Sequence, residues 1–100
     1  MGDRTPMTDA AVTTALGDRP AWTLVAGRLV RERDCGTWDA AFALLAQIAG
    51  HAERLDHHPD WSQRGSTLRL EVVTHRPPGI SQLDFDLADA IDVVLAEPPA

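Results

Sequence analysis

The stretch TWDAAFALLAQIAGHA, residues 37–52, decides the fold of this chain. Its apolar residues recur every three or four positions, which is the period of one face of an α-helix. The apolar stripe consists of Trp38, Ala41, Phe42, Leu45, Ile48, Ala49 and Ala52. Thr37 precedes the run and offers a side-chain oxygen that caps a first turn. Pro59 keeps His58 away from helical dihedrals, so we expect a long central helix that ends shortly before His58.

Three stretches of the sequence predict β-strands around this helix. Apolar and polar residues alternate over residues 22–26, and a second run covers residues 29–33 after an interruption at Gly27, which is the pattern of a β-hairpin. Residues 68–72 alternate in the same way and are rich in β-forming residues. We therefore expect a hairpin before the central helix and a further strand after it.

A helix is predicted near each end of the chain. Thr8 offers a cap to a short helix over residues 10–16, which Gly17 ends. Near the other end, Ser81 and Asp84 have the spacing of a capping box. The apolar face of the helix that follows consists of Leu87, Ala88, Ile91, Val94 and Leu95.

The composition is that of one globular domain. The chain has 100 residues, of which 44% are hydrophobic and 24% are charged, a balance that favours a folded chain over a disordered or membrane-embedded one. The first residues are small and polar and include a proline. We expect a flexible N-terminus over residues 1–7 and a single domain over residues 8–97.

Charge and cysteine content indicate which partners and which compartment to expect. The formal net charge is −6, which repels phosphate backbones and anionic lipid surfaces, so direct nucleic-acid and membrane binding are disfavoured. No apolar run approaches the roughly 20 residues of a membrane span. Cys35 is the only cysteine, which excludes an internal disulfide and favours a reducing compartment, so we expect a cytoplasmic location.

The histidines cluster where predicted elements end. The sequence LDHHPDW, residues 55–61, places His57 and His58 at the exit of the central helix, and His75 follows the strand at residues 68–72. Such ends can converge on one rim of a domain. Histidine has an unperturbed pKa of about 6.5, so it accepts and donates protons near neutral pH. The cluster therefore predicts an acid–base site.

Two other interpretations compete with this one. His57 could be structural, because a cation near a helix C-terminus is favoured by roughly a few tenths of a kcal/mol. Three imidazoles could instead hold a catalytic zinc ion. However, adjacent histidines point in different directions, and the His-x-x-x-His spacing that aims two ligands at one ion is absent. We favour acid–base chemistry over a metal site. His51 has no partner in this pattern and receives no role.

The motif set resembles a known family. Residues 52–61, AERLDHHPDW, together with Thr74-His75 and with Gly79-Ile80-Ser81-x-x-Asp84, resemble pterin-4a-carbinolamine dehydratase, and the similarity extends over about residues 22–95. The resemblance implies an α+β fold with an antiparallel sheet of about four strands and three helices packed on one face, in the order α-β-β-α-β-β-α. Since only three strands are clear, we expect the fourth to be short, near residues 79–80. The resemblance also implies a homodimer or homotetramer.

The resemblance implies a reaction as well. Members of the family remove water from a 4a-hydroxytetrahydropterin, giving the quinonoid dihydropterin in tetrahydropterin recycling, and use no metal or redox cofactor. His57, His58 and His75 match the catalytic positions. His58 and His75 are candidate proton donors to the leaving hydroxyl and His57 is a candidate binder or base, but the sequence alone does not divide these roles. The positions that match substrate-binding residues are Glu53, Trp61 and Asp84.

Structural alternatives remain for these binding residues and for the function. Glu53 could be a solvated helix residue, Trp61 a core residue and Asp84 a helix cap, although a cap could also face the pocket. The alternative function is a scaffold without catalysis that binds a protein partner, because members of the family are also cofactors of a transcription regulator.

Overall fold

The computed structural model describes residues 2–96, and Met1 and Glu97, the outer ends of the expected N-terminus and domain, lie outside it. The helices of the described chain are α1 (Asp9–Gly17), α2 (Trp38–Leu55) and α3 (Gln82–Leu95). Its strands are β1 (Thr23–Val25), β2 (Arg28–Asp34), β3 (Asp60–Arg64), β4 (Thr67–Val72), β5 (Thr74–His75) and β6 (Pro78–Gly79).

The main sheet has four antiparallel strands in the order β1-β2-β4-β3, which confirms the predicted α+β architecture. On β4, Leu68, Leu70 and Val72 are fully buried and alternate with partly exposed residues. Leu29 on β2 lies opposite Val72 and points to the same side. The helices α2 and α3 pack against each other over this side, and Val12 of α1 joins their core. One face of the sheet is therefore covered by helices.

The expected position of the fourth strand was wrong. The strand that completes the main sheet is β3, whose sequence DWSQR is polar and mostly exposed. It lies at the sheet edge and pairs only with β4, so it has little to bury and shows no clear alternation of apolar residues. Gly79 belongs instead to β6, which pairs with β5 in a separate two-stranded sheet.

The apolar stripe of α2 is only partly a core face. Ala41 and Ile48 are fully buried. By contrast, Trp38 is 56% and Phe42 is 53% exposed, and their rings stack with centroids 5.4 Å apart. The helix predicted from the apolar period is present, but both aromatic residues lie outside its buried face, because the core contacts only part of the helix circumference and leaves the neighbouring apolar face uncovered.

The end of α2 sets the direction of the two adjacent histidines. The helix ends at Leu55, and Asp56 follows in the left-handed conformation with φ 51°. The His57 N–H then donates to the Ala52 carbonyl at 3.0 Å, as in a helix that ends with a left-handed residue. The reversal sends His57 into the protein, where it is buried, and leaves His58 exposed.

The segment before α1 contacts the start of α3. The Met7 N–H donates to the Ile80 carbonyl at 2.8 Å, and the Leu83 N–H donates to the Asp3 carbonyl at 3.0 Å. Pro6 and Ser81 form an isolated antiparallel bridge. The expected flexibility of residues 1–7 stays a prediction, but the Arg4 side chain also donates to the Asp56 carbonyl at the end of α2. Within residues 2–96, no helix has both the length and the apolar character needed to cross a bilayer.

Candidate active site

Three predicted site residues share one cavity. His57 and His58, from the exit of α2, line a cavity of about 420 Å³ together with His75 from β5. Its walls also include Arg4 and Arg76. The two element ends that carry the histidines therefore converge on one rim.

His57 is held by a buried carboxylate. Its Nε2 lies 2.5 Å from Oδ1 of Asp84, and Asp84 is fully buried at the first turn of α3. An ionised carboxylate only accepts hydrogen bonds, so Nε2 is the protonated ring nitrogen and donates a hydrogen bond to Asp84. This bond leaves Nδ1 as the ring nitrogen that is available for proton exchange with another molecule.

The second oxygen of Asp84 is also fully engaged. Oδ2 accepts from the Ser81 N–H at 2.8 Å and from the Thr74 hydroxyl at 2.9 Å. The Ser81 hydroxyl lies 2.7 Å from Thr74 Oγ1. The predicted capping box is present, and the same carboxylate that begins α3 also orients His57. Asp84 does not line the cavity, so it reaches the cavity only through its partners His57 and Thr74.

His58 and His75 have more open surroundings. His58 Nε2 donates to Glu53 Oε1 at 2.7 Å, and both side chains are largely exposed. His75 is exposed at the cavity wall and makes no side-chain hydrogen bond or ion pair with another residue of 2–96. Both of its ring nitrogens are therefore available to a bound molecule, whereas His58 offers only Nδ1.

An apolar groove adjoins the histidine cavity. Its volume is about 330 Å³, and its walls include Phe42, Glu53 and Trp61. His58 and Pro59 line both the groove and the cavity, so the two spaces share a wall. Trp61 is 56% exposed and is therefore a groove wall rather than a core residue. A flat aromatic surface of this kind suits a flat ring system.

The histidines do not form a metal-binding set. Among residues 2–96, no group of three His, Cys, Asp or Glu side chains is arranged to hold a metal ion. Cys35 follows β2 and is fully buried in the hydrophobic core, and burial raises the pKa of its thiol. His51 contacts Arg54 on α2 and lies outside both spaces.

Comparison with known proteins decides the family. The family model described as pterin 4 alpha carbinolamine dehydratase matches residues 5–94. The chain belongs to this family. A protein of Rhodospirillum rubrum that carries a provisional pterin-4-alpha-carbinolamine dehydratase name is 38% identical over 97 residues, which cover 95% of this chain and 99% of the relative.

A second relative and a solved structure support the assignment to the pterin dehydratase family. A Solibacter usitatus protein with the same provisional name is 35% identical over 92 residues, covering 92% of this chain and 97% of that one. A crystal structure titled transcriptional coactivator/pterin dehydratase, from Brucella melitensis, superimposes with a TM-score of 0.85 at 29% identity, covering 90% of this chain and 98% of that one. The fold predicted from the pterin dehydratase resemblance is therefore confirmed.

Two features of this cavity were not found from the sequence. Arg4 reaches the cavity from a segment that we expected to be flexible, and its composition gave no signal of a site. Thr74 was noted only as a neighbour of His75, yet its hydroxyl binds the carboxylate that holds His57. Both contacts depend on where distant segments meet. The spacing of Ser81 and Asp84, however, had indicated that this carboxylate takes part in a local hydrogen-bond cluster.

Proposed function

We propose that this protein is a 4a-hydroxytetrahydropterin dehydratase in which His57, His58 and His75 transfer the protons. The names of the relatives support the dehydratase reaction. The observation that carries the proposal is that three imidazoles line one cavity while only one of them is anchored to a buried carboxylate. Such an arrangement gives chemically identical side chains different tasks.

The reaction needs two proton transfers, one at each end of a carbon–nitrogen bond: the ring nitrogen loses a proton, and the hydroxyl group on carbon 4a gains one. The ring N–H next to carbon 4a loses a proton, and its electron pair forms the new carbon–nitrogen double bond. The bond from carbon 4a to the hydroxyl oxygen breaks, and the oxygen takes a proton and leaves as water. General acid and base groups with pKa values near neutrality accelerate such steps by about 10²- to 10⁴-fold each.

His57 is suited to the base role. The bond from Nε2 to Asp84 keeps the Nδ1 lone pair free and stabilises the imidazolium that forms when Nδ1 accepts the ring proton. His75 has no internal partner in residues 2–96, so it is the first candidate for the donor to the leaving hydroxyl. His58 is the second candidate, since it lines the same cavity and its hydrogen bond to Glu53 leaves Nδ1 without a hydrogen-bond partner in residues 2–96.

The groove beside the cavity supports binding of the bicyclic ring. In this proposal Trp61 provides a flat wall and Glu53 accepts from ring N–H groups, while Asp84 acts as a positioning residue through His57. The sequence relatives carry dehydratase names and do not favour the scaffold alternative without catalysis. We also propose that residues 8–97 form one domain, that the protein is a cytoplasmic homo-oligomer, and that its substrate is a pterin.

The test is a spectroscopic assay for dehydration of a 4a-hydroxytetrahydropterin with a neutral 6-methyl group. We expect turnover by the wild type, and a loss of at least about 10²-fold in kcat for each of H58A and H75A. H51A is the matched control, because His51 lies outside both spaces. Turnover of the H58A/H75A double variant at the wild-type rate, with circular dichroism unchanged, would refute the histidine assignment.

A further inference from the structure

Two arginines line the histidine cavity without a place in the proton transfers. Arg4 comes from the segment before α1, and Arg76 follows His75 in the turn between β5 and β6. The chain as a whole is acidic, with nine basic and fifteen acidic side chains. Two guanidinium groups at one small cavity are therefore unusual in a protein whose net charge is negative.

Arg4 is fixed at the cavity by several contacts. Its Nη2 donates to the Asp56 carbonyl at 2.6 Å and lies 4.0 Å from the Asp56 carboxylate, and its side chain is 34% exposed. The adjoining backbone is tied to α3 through the hydrogen bond from Leu83 to Asp3. A guanidinium has five N–H donors, so most of those on Arg4 remain for another acceptor.

Arg76 carries a charge that no acidic residue compensates within residues 2–96. It makes no ion pair or side-chain hydrogen bond with another residue of that range. Asp60, the other acid in the cavity besides Asp56, is bound by Arg28 at 2.5 Å. The cavity wall therefore keeps a positive charge beside the exposed ring of His75.

We propose that the substrate of this enzyme carries an anionic group, a carboxylate or a phosphate, on the substituent of its pterin ring, and that Arg76 and Arg4 bind that group. The pterin ring is neutral near pH 7, so the ring itself supplies no negative charge to pair with the two guanidinium groups. Arginine binds both anions through paired N–H donors. This inference rests on the proposed function and names the substrate class of the same site.

Binding of stable aromatic pterins tests the charge preference directly. The probes are 6-hydroxymethylpterin, which is neutral, its phosphate monoester and pterin-6-carboxylate, with affinity measured by pterin fluorescence. We expect at least one charged probe to bind about tenfold or more tightly than the neutral one, the size of a charge-assisted hydrogen bond. The better charged probe identifies the anion, and its advantage should decrease as salt is added.

Substitution of the arginines tests whether they cause the preference for charged over neutral pterins. In R76Q the ratio of charged to neutral affinity should fall towards one, and in R4Q it should fall in the same direction. R64Q is the matched control, because Arg64 is an exposed arginine on β3 that lines neither the cavity nor the groove; its ratio should equal that of the wild type. Equal affinity of the wild type for all three probes would overturn the inference, as would an unchanged ratio in R76Q.

The turnover assay separates this inference from the function on which it rests. If the wild type dehydrates the 6-methyl substrate but binds charged and neutral probes equally, the dehydratase function stands and the anionic substrate is wrong. If no 4a-hydroxytetrahydropterin is turned over, whether neutral or anionic, the function fails, and the substrate class fails with it.

Discussion

Asp84 Oδ1 lies 2.5 Å from Nε2 of His57, although the two residues are 27 positions apart. One comes from the first turn of α3 and the other from the exit of α2. The carboxylate is fully buried, and its other oxygen is bound by Ser81 and Thr74. Its position is therefore determined before any substrate arrives, and that position sets which nitrogen of His57 carries the proton.

D84N should reverse the tautomer of His57. The asparagine oxygen can keep the hydrogen bond from the Ser81 N–H, which turns the amide NH₂ towards His57 and makes Nε2 an acceptor. Nδ1 then carries the proton and cannot accept one. We expect kcat to fall by about 10²-fold or more, with the tautomer followed by ¹⁵N NMR. D86N on the same helix is the control. Unchanged kcat in D84N would contradict the base role of His57.

T74V should destabilise the fold. Valine has nearly the shape of threonine but leaves Asp84 Oδ2 and the Ser81 hydroxyl without the Thr74 oxygen. Loss of a partner in a buried polar cluster costs about 1–3 kcal/mol, which urea unfolding would measure. T67V, at a half-buried position on β4, should change the free energy of unfolding less. Equal effects of the two variants would show that the Thr74 hydroxyl contributes no special stability.

D34N should reduce stability in a pH-dependent way. The Ser66 hydroxyl and the Gly36 N–H lower the pKa of Asp34 in the folded state. A lowered folded pKa contributes stability above the ordinary aspartate value of about 3.9, and this stability is lost as pH falls through the folded value. The difference in unfolding free energy between wild type and D34N should thus be largest at neutral pH and should decrease as the pH falls below the ordinary aspartate value. A difference that grows on acidification would be the opposite of this expectation.

Cys35 should react slowly while the protein is folded. Burial raises the pKa of its thiol and blocks access to it, and the thiolate is the reactive form. At about pH 8, Ellman's reagent should modify the native protein far more slowly than the urea-unfolded chain. Equal rates in the two states would mean that Cys35 is accessible in the native fold.

The long helices were predictable from local pattern because their signals are redundant. α2 has a cap at Thr37, an apolar period and a terminating proline, and its end at Leu55 agrees with the restriction that Pro59 imposes. α3 has its capping box and a fully buried apolar face. By contrast, β3 was missed, because its pairing with β4 provides backbone hydrogen bonds that do not depend on an apolar pattern.

The site was predictable only in part for a similar reason. The histidines could be recognised in the sequence by their residue type and by their position at the ends of predicted elements. The structure brings His57, His58 and His75 to one cavity. The division of labour among them depends on which partner each ring meets. The buried position of Asp84 and the approach of Arg4 to Asp56 arise from tertiary packing, which spacing along the chain does not encode.

Asp84 caps the first turn of α3 and also orients His57, so the stability of that turn and the position of the imidazole depend on the same carboxylate. Fraying of the first turn of α3 would release the imidazole while most of the domain remained intact. We expect heat inactivation of the proposed activity to precede global melting, so that the upper temperature of activity is set by one helical turn rather than by the whole fold.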